Sequence, residues 1–128
     1  MKEIVEKLRR LEMRISRERG PVNFFGWFLR DNGADRWDLM LAAPWADSDH
    51  RAVRKYVVDQ IPKELSPSEM VYIAQVVVLP NDMEDLEELY EEHSVEHGKV
   101  IMRNFDFGLQ SVRKAYIITC RAPMKQAA

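Results

Sequence analysis

The sequence predicts an α+β fold: one domain with a mixed five-stranded sheet and three helices, in the order α-β-β-α-β-α-β-β. Three observations predict it. Apolar residues recur at helical spacing in three segments. Runs of β-branched and aromatic residues, each of strand length, stand between them. Two pairs of these runs are joined by short turn-forming stretches, and the others are joined through helical segments. A hairpin forces antiparallel pairing, whereas a helical crossover permits parallel pairing, so the sheet is expected to be mixed.

The first helix is expected over residues 2–19. Ile4, Leu8, Leu11 and Ile15 fall on one stripe, and Gly20-Pro21 stops the helix. Phe24, Phe25, Trp27 and Phe28 make residues 22–30 apolar at both parities, as in a strand covered on both faces. Asp31-Asn32-Gly33-Ala34-Asp35 is a turn, and Arg36–Ala43 is the returning strand. Pro44 ends it. Asp47 or Ser48 is placed to cap a second helix over about 49–63, with Val53, Tyr56 or Val57, Gln60 and Ile61 inward. Ser66-Pro67-Ser68-Glu69 reads as a loop or a single capped turn. Val71–Leu79 is almost wholly apolar, the pattern of a central buried strand. A third helix follows to about His97, capped by Asn81 or Asp82 and closed by Gly98. Residues 99–107 and 114–121 are two strands joined around Gly108-Leu109-Gln110-Ser111, and residues 122–128 are expected to fray.

A chain of 128 residues, 46% hydrophobic and 31% charged, is near the commonest domain size and ordinary in composition. It has too many apolar residues and too little net charge for a disordered segment. Its apolar runs fall short of a membrane span, so no membrane partner is expected. The single cysteine, Cys120, makes no internal disulfide and sits in an apolar strand, where an inert thiol is expected. The charged N-terminus lacks a leader's apolar core, and a cytoplasmic location is expected.

The net charge of −2 conceals a segregated pattern. Residues 1–20 carry +3, residues 81–98 carry −8 with no Lys or Arg, and residues 99–128 carry +5. Nucleic acid is an unpromising partner for so acidic a chain, despite the basic stripe Lys7, Arg10, Arg14, Arg17. Glu3 with Lys7 and Glu6 with Arg10 stand at the spacing of helical surface pairs.

Three candidate sites follow. The first is the acidic helix 81–97. Met83, Leu86, Leu89 and Tyr90 form its inward stripe, leaving Glu84, Glu87, Glu88, Glu91 and Glu92 on the outside without helical counter-charges. This favours a non-catalytic interaction module that binds a basic protein partner, or the basic first helix of a second copy in a homo-oligomer. The second is His93-Ser94-Val95-Glu96-His97, an H-x-x-E-H pattern. On a helix, His93 and His97 share a face and would meet one zinc ion, with Glu96 as base; this is the metal-dependent hydrolase alternative. Gly98 puts the pair on a last turn, and the only downstream carboxylate for a third ligand is Asp106, with Glu92 the upstream substitute. Histidines complementing a helix C-terminus are the simpler reading, so no metal, cofactor or catalytic residue is assigned. The third is a small-molecule pocket at the tryptophan-rich hairpin, built from Trp37, Trp45, Asp47 and His50.

Overall fold

Helix α1, Lys2–Arg19, forms on the predicted apolar stripe and buries Ile4, Val5, Leu8, Leu11 and Ile15. The computed structural model describes residues 1–32 and 34–123. Gly33 of the expected turn and residues 124–128 of the expected tail lie outside the described residues. Strands β1, Phe24–Arg30, and β2, Trp37–Ala42, form the first hairpin. At its tip the side chain of Asn32 accepts from the backbone N–H of Ala34. Pro44 opens a short 3-10 turn, and helix α2 runs His50–Gln60 before a second such turn at Ile61–Lys63, where Pro62 breaks the helical ladder. The cap is Asp49 rather than Asp47 or Ser48; its carboxylate accepts from the backbone N–H of Ala52. Helix α3, Pro67–Met70, is the single capped turn, held by a reciprocal Ser66–Glu69 capping box. Strand β3 spans Ile73–Val78, helix α4 Glu84–Glu92, strand β4 Val100–Phe107 and strand β5 Gln110–Cys120.

The sheet is mixed and five-stranded, in the order β3-β2-β1-β5-β4. Only β2 and β3 run parallel, joined by the α2 crossover; every other pair is antiparallel. Helices cover both faces. One face packs Phe25, Trp27, Leu39, Leu41 and Ile118 against α1 and α2. The other packs Phe24, Phe28, Met40, Ala42 and Ile117 against Leu86 and Leu89 of α4. The aromatic run of β1 therefore splits by parity. Trp27 stacks on Trp37 at 5.5 Å on the first face, and Phe24 meets Phe28 edge-on at 5.9 Å on the second. Such pairs add about 0.5–1.5 kcal/mol beyond their area burial. Gly26 is required between the two phenylalanines, since a Cβ there would stand 2.7 Å from the Phe28 ring.

The structure corrects three sequence expectations. The apolar segment 71–79 forms an edge strand, not a central one: β3 pairs with β2 alone. Its apolar side chains serve the two cores, Ile73, Val76 and Val78 on the α2 face and Val77 on the other. The third helix ends at Glu92 instead of His97, and no side chain caps its start at Met83. From His93 the backbone is extended, and Val95 pairs with Cys120. Strand β5 begins at Gln110 instead of 114, because a tight Gly108-Leu109 connection joins it to β4, with Gly108 at φ 61. Among the described residues, no helix is long and apolar enough to cross a membrane.

Candidate functional site

The acidic face of α4 is as the sequence places it. Leu86 and Leu89 point into the core, with Met83 and Tyr90 partly buried beside them. Glu84, Glu87, Glu88, Glu91 and Glu92 are all exposed. None of the five forms an ion pair with a lysine or arginine among the described residues; the His93 imidazole stands 4.0 Å from Glu92. Asp85 is tied inward instead, accepting from the backbone N–H of Gly108. Burial pushes the Tyr90 phenol above its ordinary range, in keeping with a side chain that anchors the helix.

Three of the four residues in the basic stripe of α1, Lys7, Arg10 and Arg14, are already occupied. Lys7 donates to Glu69 at 2.7 Å, and Arg14 and Arg10 reach Glu64 at 2.6 and 3.5 Å. These contacts replace the expected Glu3–Lys7 and Glu6–Arg10 pairs, and Glu6 meets Arg9. The Lys7 hydrogen bond, and then the Ser66 backbone N–H, hold the Glu69 carboxyl down at about 2.

The histidine motif does not form a metal pair. His93 leaves the helix in extended backbone, and His97 adopts φ 52, so the shared helical face on which two ligands depended does not exist. Among the described residues, no group of three or more His, Cys, Asp or Glu side chains is placed to hold a metal ion. His97 turns to α1. Its Nδ1 shares a hydrogen bond with the carboxyl of Glu12, which is fully buried, and the other Glu12 oxygen accepts from Ser16 Oγ at 3.0 Å. The backbone N–H of His97 donates to Thr119 Oγ1 at 3.1 Å, and its carbonyl accepts from Arg9 Nε at 2.9 Å. Beside this tie opens a cleft of about 500 Å³ between α1 and the end of β5, with Arg10, Arg17 and Arg121 among its lining.

Sequence reasoning missed Glu12, and its signal was available: it lies four residues after Leu8 and one turn before Ile15, on the buried side of α1. A histidine oriented through Nδ1 by a buried carboxylate is the basic half of a nucleophilic relay. The other half is missing from its reach. His97 Nε2 faces Glu96 at 3.4 Å, Glu96 is held by Arg121 at 3.1 Å, and the Ser16 hydroxyl bonds to the carboxylate instead of the imidazole. The cluster fastens the 93–98 segment to α1 and β5.

The tryptophan residues do not gather into one pocket. Trp37 is buried in the core against Trp27 and Tyr116. Trp45 lies elsewhere, its indole N–H donating to the carbonyls of Gly20 and Pro21 and its ring under Arg19. Asp47 and His50 do meet, at 3.4 Å, and line an open depression of about 580 Å³ with Pro80, Asn81 and Tyr90, at the foot of α4. The Cys120 thiol is buried, and that burial raises it to about 11. Compared with protein-family models, with curated proteins and with solved structures, the chain matches none.

Proposed function

We propose that this domain is a non-catalytic interaction module whose binding surface is the acidic face of α4, and that its partner is a basic protein. One observation carries this reading: five glutamates on two and a half turns of helix stand exposed with no lysine or arginine paired to them among the described residues. Like charges at i+3 and i+4 destabilise a helix by a few tenths of a kcal/mol per pair. A surface that bears this repulsion is relieved when a cationic partner docks on it. Self-association through α1 is the weaker form of the proposal, because Lys7, Arg10 and Arg14 already have glutamate partners within the chain.

The test is titration of a lysine-rich helical peptide against the protein and its Glu87→Gln, Glu88→Gln, Glu91→Gln variant. Three exposed charge pairs at ~0.5 kcal/mol each make the variant roughly ten-fold weaker. Raising the salt concentration abolishes the difference. Equal affinity of the two proteins at low salt would remove α4 as the binding surface.

A further inference from the structure

We infer that the open edge of β3, with the groove it shares with α2, is a docking strand for an extended acidic segment of a partner protein. The inference is independent of the acidic helix, which lies against the other face of the sheet.

A sheet edge presents unpaired N–H and C=O groups, and proteins ordinarily blunt such edges with charge, proline or a covering element. The outer edge of β4 is blunted in that way: it carries Arg103 and Asp106, and Asn104 departs from strand geometry at φ 53. The β3 edge is capped by charge only at its start, where Arg36 donates to the Ile73 carbonyl at 2.6 Å. Ile73-Ala74-Gln75-Val76-Val77-Val78 has no charged residue, proline or glycine of its own, and β2 is its only strand neighbour among the described residues. Leu79 donates its N–H to Leu41. Alternation along the strand then turns the N–H and C=O of Val76 and Val78 away from β2, toward the open side. The approach is apolar too, since Val71 and Tyr72, leading into β3, are 70% and 36% exposed.

A groove of about 510 Å³ runs along this edge, bounded by Gln75–Val78 on one side and by His50, Arg51 and Arg54 of α2 on the other. Arg51 and Arg54 are exposed, have no ion-pair partner among the described residues, and face no carboxylate in the groove. Strand addition draws affinity from main-chain hydrogen bonds and specificity from the flanking side chains. Here the flanking side chains are cationic, so the fitting segment carries Asp or Glu on the side facing α2. A second copy fits poorly. Antiparallel pairing of two β3 edges about a two-fold axis places both α2 helices on the same face of the joined sheet, and sets the arginines of the two copies along one seam.

The experiment uses ¹⁵N-labelled protein and a fluorescent ten-residue peptide of alternating valine and glutamate, with a valine–lysine peptide as comparison. The glutamate peptide is expected to bind and to slow amide hydrogen exchange at Val76 and Val78. Val77, whose N–H already faces β2, is unchanged. Arg51→Gln with Arg54→Gln weakens binding roughly ten-fold, and Val78→Pro, which removes an edge donor and no β2 hydrogen bond, weakens it further. If the proline variant fails to fold, the exposed arginine pair carries the test. Binding with no change in Val76 and Val78 exchange, or equal binding of the lysine peptide, would overturn the inference. So would protection of both amides in the free protein accompanied by a dimer mass, which would assign the edge to a second copy.

Discussion

Replacing His97 and Glu12 separately should have unequal effects, although each is the other's partner. Glu12 is fully buried, whereas the His97 side chain is 35% exposed. Removing the imidazole in His97→Ala leaves one oxygen of the fully buried Glu12 carboxyl without its side-chain partner. Breaking a buried pair from this side costs about 3 kcal/mol, a fall of roughly 10 °C in Tm for a chain of this size. Removing the carboxyl in Glu12→Leu leaves an imidazole that water can reach, and sets an apolar side chain beside Leu8, Leu11 and Ile15. That change costs no more than about 1 kcal/mol. The double variant should be no less stable than Glu12→Leu alone, giving a coupling of about 3 kcal/mol. The left-handed backbone at His97, φ 52, is common to both arms of the cycle and cancels. Urea unfolding followed by tryptophan fluorescence measures all four proteins. A His97→Ala loss below about 1 kcal/mol, or a Glu12→Leu loss as large as that of His97→Ala, would refute the reasoning.

Two further outcomes are expected. The Glu69 carboxyl is held below its ordinary 4.5, at about 2, so its pairing with Lys7 stabilises the fold above pH 4.5 and is lost as pH falls toward 2. Glu69→Gln should flatten the stability profile across that window, and a slope identical to that of the parent protein would exclude the pair as its source. The Cys120 thiol, buried and raised to about 11, should resist a disulfide reagent at pH 8 in the native protein and react at once in denaturant; fast native labelling would contradict its placement.

The sequence read best where one physical cause dominates a segment. The parity of β1 predicted a strand with two covered faces, and Phe24 and Phe28 do pack on one face with Phe25 and Trp27 on the other. The inward stripes of α1, α2 and α4 were legible for the same reason. The edge position of β3 was not, because burial of a strand's faces and pairing of its sides are separate conditions and side-chain pattern reports only the first. The end of α4 was overrun because acidic residues continue past the last apolar contact at Tyr90, while Val95 bonds across the chain to Cys120. The Glu12–His97 tie joins residues 85 positions apart. Glu12 on a buried stripe signalled an unseen partner, and only the tertiary fold could name it.

The pairing of β1 with β5 bears on how the chain is made. Phe24–Arg30 finds its second neighbour in Val112–Cys120, synthesised roughly 80 residues later, about 4–16 s at ordinary elongation rates. During that interval the emerging product is half a sheet, its most aromatic strand unpaired on the side where β5 will insert. Long-range pairing of this kind is slow to form and prone to aggregation until complete. The demand falls on biosynthesis: a nascent chain stalled or truncated before residue 112 carries the whole Phe-Phe-Gly-Trp-Phe strand with nothing of its own to pair along the β5 side.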